Sequence, residues 1–285
     1  MSATSPPMPT PTTLHRHGLH VDGADLEHGW SSMTPVDDSI ARRAALALAE
    51  STARPSVAMG ARLLRTGDVV ATDLGRGAGY WNAAVVLRPL TDAGWAALAE
   101  ELSEFATGGS ARDIDVWSPF PTPDLRHLGW TLSGHPTAMW RPAGPQPAGP
   151  VPDVRVDRVR SVDDACRWGD AAVAWYPLPD RPEDVIDPSV LSDPDVHLFT
   201  AWAGGRAVAI SSAVVAHGTN AVPFVASRPD ARRRGYGAAV TWAATRVRPD
   251  LPAVLLASDD GRPVYERMGY LPLARWTLWM HRVVP

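Results

Sequence analysis

Apolar and polar positions alternate in distinct rhythms along this chain, and the rhythm is absent at its start. Residues 1–33 are rich in Pro, Thr, Ser and His without apolar periodicity, which predicts a flexible tail. Thr34-Pro35 reads as a helix cap followed by proline at the first helical position, opening a helix to about Ser51. Apolar or alternating runs at Val57–Leu64, Val69–Thr72 and Trp81–Leu87 predict strands. Trp95, Leu98, Leu102 and Phe105 recur at helical spacing and predict an amphipathic helix over Thr91–Phe105. Ile114–Trp117 reads as a further strand. Pro, Gly and Ala then crowd residues 142–152, which predicts a linker.

Beyond the linker the pattern resumes with a strand at Val154–Val159 and a helix starting at Ser161, where Asp164 stands as capping-box partner. A Pro- and Asp-rich segment covers Pro177–Asp195. Leu198–Ala203 and Arg206–Val215 flank Gly204-Gly205 as a hairpin. Strand Ala221–Ala226, helix Ala238–Val247, strand Pro252–Ala257 and the aromatic strand Leu273–His281 complete the chain. A constant shift also lays one half on the other. It places Ser118 on Ser258, Leu125 on Tyr265, Leu128 on Met268, Gly129 on Gly269 and Trp130 on Tyr270, in the same element order. The chain therefore reads as two domains, 34–141 and 153–285, joined by the linker.

Composition narrows the possibilities. With 285 residues, 45% of them hydrophobic and 12 Trp, the chain can bury two cores. The net charge of −4 argues against a general nucleic-acid binder, and all 27 basic residues are Arg. One cysteine, Cys166, excludes an internal disulfide and a cysteine-based metal cluster, and beside Trp168 it reads as a small core residue. Neither a leader-like apolar segment nor an apolar run of membrane length is visible, which predicts a soluble, cytoplasmic protein with no membrane partner and no metal.

Candidate chemistry concentrates at Arg232-Arg233-Arg234-Gly235-Tyr236-Gly237, between a strand and a helix. Two glycines one residue apart permit a tight turn with several N–H groups facing one way. The helix start at Ala238 adds its positive dipole end, and three arginines add counter-charge, a combination suited to a pyrophosphate. After the next strand comes Ser258-Asp259-Asp260-Gly261-Arg262-Pro263-Val264-Tyr265-Glu266-Arg267-Met268-Gly269-Tyr270. In these two segments the chain resembles the GNAT superfamily of acetyl-coenzyme A-dependent N-acyltransferases, whose phosphate loop reads R/Q-x-x-G-x-G/A and whose later helix reads roughly L-Y-E-x-L-G-F.

The resemblance implies an α/β (α+β) protein of two tandem GNAT-like folds, each a mixed, mostly antiparallel sheet flanked by helices. It implies acetyl-coenzyme A as cosubstrate and a small-molecule or peptide amine as acceptor. Its pantetheine arm would add to the strand edge at Val225, Ala226 and Ser227, and its phosphates would take Arg232, Arg233, Arg234, Gly235, Tyr236, Gly237 and Ala238. Ser258 stands where relatives often carry a polar pantetheine contact, and equally suits a helix cap. Tyr265 matches the residue that protonates the departing thiolate, or else packs beside Gly269. The general base stays open among His217, Asp259, Asp260 and water, because Asn220–Ser227 contains no acid. The acceptor wall would hold Trp175, Tyr176, Asp180, Glu183, Asp184 and Asp187, with Arg275, Trp276 and Trp279 opposite, suiting a cationic amine.

The first half has Arg88-Pro89-Leu90-Thr91-Asp92-Ala93-Gly94 in place of the arginine-glycine turn and a leucine in place of the tyrosine, so it is expected not to bind the cosubstrate. Two other readings accompany the acetyltransferase: a non-catalytic acetyl-coenzyme A sensor, and a tandem enzyme similar to mycothiol synthases.

Overall fold

The computed structural model describes residues 40–75, 81–107, 113–146, 153–176 and 186–282. The expected tail, the cap at Thr34-Pro35 and residues 147–152 of the expected linker lie outside them. Residues 44–285 form one compact unit, and of the residues before it only the first turn of a helix is described.

The elements follow the apolar rhythm, with boundary changes that have local causes. Helix α1 spans Ile40–Ala58, well past Ser51, and takes up the start of the strand expected at Val57. Pro55 lacks only its own N–H, while its carbonyl still accepts from Met59 at 3.1 Å, so the last turn survives the proline. Strands β1 (Arg62–Arg65), β2 (Val69–Asp73) and β3 (Ala83–Val86) precede helix α2 (Asp92–Thr107) and strand β4 (Asp113–Ser118). A short 3-10 turn leads into β5 (Trp130–Gly134) and β6 (Thr137–Arg141). Past the linker come β7 (Arg155–Arg158) and α3 (Val162–Trp175). Ser161 caps α3 as read: its Oγ accepts from the Asp164 N–H at 3.1 Å. Cys166, in contrast, is exposed. Ala165, Trp168, Gly169, Ala171 and Ala172 form the buried stripe of α3, and position 166 is turned out of it by about 100° from its neighbour.

Strands β8 (Val196–Ala203) and β9 (Arg206–Ala216) form the hairpin around Gly204-Gly205. The single strand expected at Ala221–Ala226 is two: β10 (Thr219–Ala221) and β11 (Val225–Ser227), separated by Val222-Pro223-Phe224. Helix α4 (Tyr236–Thr245), strand β12 (Ala253–Ala257), helix α5 (Arg262–Arg267), β13 (Leu271–Arg275) and β14 (Thr277–Arg282) follow. The aromatic run Leu273–His281 is thus not one strand: it breaks at Trp276 and its two parts enter different sheets.

Both sheets share one plan. The first runs β1-β2-β3-β4-β14-β5 and the second β7-β8-β9-β10-β12-β6-β13, each with one parallel pair, β3 with β4 and β10 with β12. In each, the strand beyond the parallel pair comes from the other half of the sequence. β14 lies between β4 and β5, and β6 lies between β12 and β13. The two crossings meet: the Trp276 N–H donates to Pro136 O at 2.9 Å, and Arg275 Nη1 donates to His135 O at 2.8 Å. Arg141, expected to end the first domain, is a buried residue of the second sheet, where its Nε donates to Met268 O at 3.0 Å.

Helix α1 packs on both sheets. Its alanines 44, 45, 47, 49 and 53, with Leu48, meet Val70 and Val85 of the first sheet and Trp140, Ala221 and Val254 of the second. Such small side chains let a helix axis approach a sheet closely. A second core lies under α2, built from Trp95, Leu102, Ile114, Val116, Trp130 and Trp279.

Candidate active site

The break between β10 and β11 creates the site. β10 pairs in parallel with β12 through Asn220 and Ala221, and the last bond of that pair is the Val222 N–H to Val254 O at 2.8 Å. After Pro223, which has no N–H to donate, β11 stays with β9 and leaves β12. Phe224 O accepts from Ser212 N and Arg228 N donates to Val208 O, so the alternation of an antiparallel ladder turns the backbone groups of Val225 and Ser227 toward the open edge. Val225, Ala226 and Ser227 therefore border a wedge between two strands that have separated.

The residues expected to form a phosphate loop follow the end of β11. Arg233 has φ 61° and Gly235 φ 82°, both in the left-handed region, so the chain reverses into α4 there. Gly235 caps the helix without a side chain, so the first amides of α4, from Tyr236 to Ala238, meet no capping oxygen from their own cap residue. A Cβ on Gly237 would lie 2.9 Å from Ser227 Oγ, which ties this glycine to the close approach of α4 and β11. Arg232 crosses the loop base, donating to Ser227 O at 3.4 Å and to Trp175 O at 3.3 Å. Arg234 and Tyr236, with Arg206, Arg228 and Asp230, line a cavity of about 350 Å³ beside the helix start.

On the far side of the wedge, Ser258 ends β12. Its Oγ accepts from the Gly261 N–H at 3.1 Å, so it holds the turn into α5. Tyr265, on α5, is half-buried with its ring edge-on to Tyr270 at 6.0 Å. Burial raises its phenol above the ordinary value of 10, and the nearby phenol of Tyr176 raises it further. Burial raises Tyr176 as well. Tyr176 leaves the end of α3 and stacks on Phe224 with ring centroids 4.4 Å apart. The strand break and two phenols thus converge, one phenol from each wall.

A chamber of about 330 Å³ opens at this point. Tyr176, Pro223, Leu256 and Ser258 line it from the second half, and Leu48, Ser51, Val85 and Trp117 from the first. Its floor is the place where the two chain crossings meet, at His135-Pro136 and Trp276. None of the first-half residues was legible as a site residue: each sits in an ordinary apolar or helical pattern, and only the strand exchange brings them here.

The acceptor wall expected from sequence is rearranged. Tyr176, Trp276 and Asp259 line the chamber, and Arg275 reaches its edge through a 2.9 Å bond to Asp259. Trp175 lines a separate cavity under α3, and Trp279 is buried in the core under α2, donating to Thr122 Oγ1 at 3.0 Å. Asp187 accepts from the Ser189 N–H and caps a 3-10 turn. Asp180, Glu183 and Asp184 lie outside the described residues. Among the base candidates only Asp259 borders the chamber. His217 sits in the β9–β10 turn, with Nε2 4.0 Å from Glu50, and Asp260 is exposed.

This architecture is the fold of the GCN5-related N-acetyltransferases. The chain is similar to a GCN5-related N-acetyltransferase from Kribbella flavida at 20% identity and a TM-score of 0.63, over 87% of this chain and 97% of that one. A protein from Novosphingobium aromaticivorans, described as an acetyltransferase of the GNAT family, matches at 16% identity and a TM-score of 0.56, over 86% and 100% of the two chains. A conserved protein of unknown function from Staphylococcus epidermidis matches at 15% identity and a TM-score of 0.57, over 79% and 96%. No protein-family model matches the sequence and no curated protein matches it. At these identities the likeness is one of fold, and its coverage extends across both halves.

Proposed function

We propose that the chain is an acetyl-coenzyme A-dependent N-acetyltransferase with one active site, in its second half. The observation that carries this reading is the wedge between β11 and β12, opening beside a left-handed turn and a helix start bordered by arginines. The pantetheine arm would bond the edge at Val225 and the Ser227 N–H, and the phosphates would meet the amides of residues 235–238 and the Arg232–Arg234 side chains. The thioester carbonyl would then face the chamber near Pro223 and Ser258, where an amine can attack it. Attack forms the new C–N bond, the C–S bond breaks, and the leaving thiolate takes a proton. Tyr265 is the donor we assign, with its phenol held neutral by burial. The amine's own proton is a separate cost. Deprotonating an amine of pKa near 10.4 at pH 7 costs about 4.6 kcal/mol, and Asp259 or water would accept that proton.

A second reading, a sensor that binds acetyl-coenzyme A without turning it over, is favoured by one observation: the β10–β11 segment Asn220–Ser227 offers no carboxylate. An amine-panel assay following release of the coenzyme A thiol separates the two. The enzyme reading predicts amine-dependent thiol release that disappears in Gly237→Val, because the added branch collides with Ser227 and fills the phosphate approach. Tight acetyl-coenzyme A binding with no thiol release for any amine would favour the sensor.

A further inference from the structure

We propose that the acceptor carries its amine on a small apolar body, one or two rings in size, and that this body seats in the chamber between the two sheets. The inference rests on the acetyltransferase reading and names its acceptor class. Leu48, Val85, Trp117, Leu256, Trp276 and Leu278 give the wall a large apolar face, in contrast to the acidic wall that the sequence suggests for a cationic acceptor.

Three of the polar groups around them are already engaged. Ser51 Oγ donates to Leu48 O at 2.7 Å, Ser258 Oγ accepts from Gly261 N, and Asp259 pairs with Arg275 at 2.9 Å. A polyamine or a lysyl side chain would need to desolvate several charges or amides against this wall, and among the described lining residues Asp259 is the one carboxylate. An apolar body needs no such partners. Size agrees: a cavity of about 150 Å³ holds a benzene-sized ligand, so about 330 Å³ takes one or two rings with a short alkyl arm. The arm would point to the mouth at Pro223 and Ser258, where the wedge opens. Trp117 and Leu48 come from the first half, so that half would supply part of the acceptor wall.

Two measurements on the full chain test this. The first is binding of 4-fluorophenethylamine without acetyl-coenzyme A, followed by fluorine NMR. Saturable binding is expected, weakened at least about tenfold in Trp117→Ala and largely kept in Trp117→Phe, since removing a ring from the wall forfeits its buried area. The second compares kcat/KM for phenethylamine and tryptamine with that for putrescine, spermidine and a lysine-containing tetrapeptide. The ring-bearing amines should lead by at least about tenfold, with the Trp117→Ala loss in KM and acetyl-coenzyme A affinity unchanged. Preference for putrescine, spermidine or the peptide overturns the proposal. So does absence of fluorophenethylamine binding, or binding indifferent to Trp117→Ala. Fluorophenethylamine binding that depends on Trp117, without any acetyl transfer, would uphold the chamber and sink the enzyme reading instead.

Discussion

Tyr265 and Asp115 each sit in surroundings that raise the pKa of the side chain. Tyr265→Phe keeps the ring against Tyr270 and removes only the hydroxyl. If that phenol protonates the leaving thiolate, turnover should fall roughly 10²-fold while acetyl-coenzyme A affinity stays within a few-fold. Unchanged turnover at unchanged stability would leave solvent as the donor. Asp115, on β4, is half-buried and lies near the charge of Asp113, and desolvation together with that charge raises its carboxyl from 3.8 to about 6. Below 3.8 both folded and unfolded chains hold the proton. Between 3.8 and about 6 only the folded chain does, so stability declines as pH rises through that window, by up to about 3 kcal/mol. Asp115→Asn should therefore raise the urea midpoint at pH 7 and change it little at pH 3. Equal gains at both pH values would contradict the burial argument.

At the scale of elements, the exchange of strands decides how the halves behave. β6 is hydrogen-bonded on both sides by β12 and β13, and β14 by β4 and β5. A protease site inserted at 147–150 and then cleaved should thus leave the two fragments co-eluting on size exclusion, separating only in denaturant. Fragments that part under native conditions would contradict the exchange. Most elements were legible: the helical spacing of Trp95, Leu98 and Leu102, the Ser161 cap and the Gly204-Gly205 hairpin each have a local cause that the sequence carries. The exchange was not. Leu273–His281 is continuously apolar and aromatic, so nothing in its period marks Trp276 as a crossing; only the bond to Pro136, far away in sequence, places the break. For the same reason the phosphate loop was visible as a motif, while the chamber's first-half wall was not, since no local pattern distinguishes Trp117 or Val85 from ordinary strand residues.

Across the whole molecule, two sheets of the same plan differ where a phosphate would sit. In the first half, Thr91 Oγ1 accepts from the Gly94 N–H at 3.2 Å, so a side chain caps the start of α2. In the second, Gly235 leaves the start of α4 open. In the proposed reading the halves divide the work: the second would offer the cosubstrate wedge, and the first would help to close the acceptor chamber. Calorimetric titration of the full chain with acetyl-coenzyme A tests this most directly. The account predicts one site per chain, lost in Gly235→Val, whose backbone would be strained at φ 82°, and in Gly237→Val. Two equivalent sites, or a single site that survives both substitutions, would contradict it.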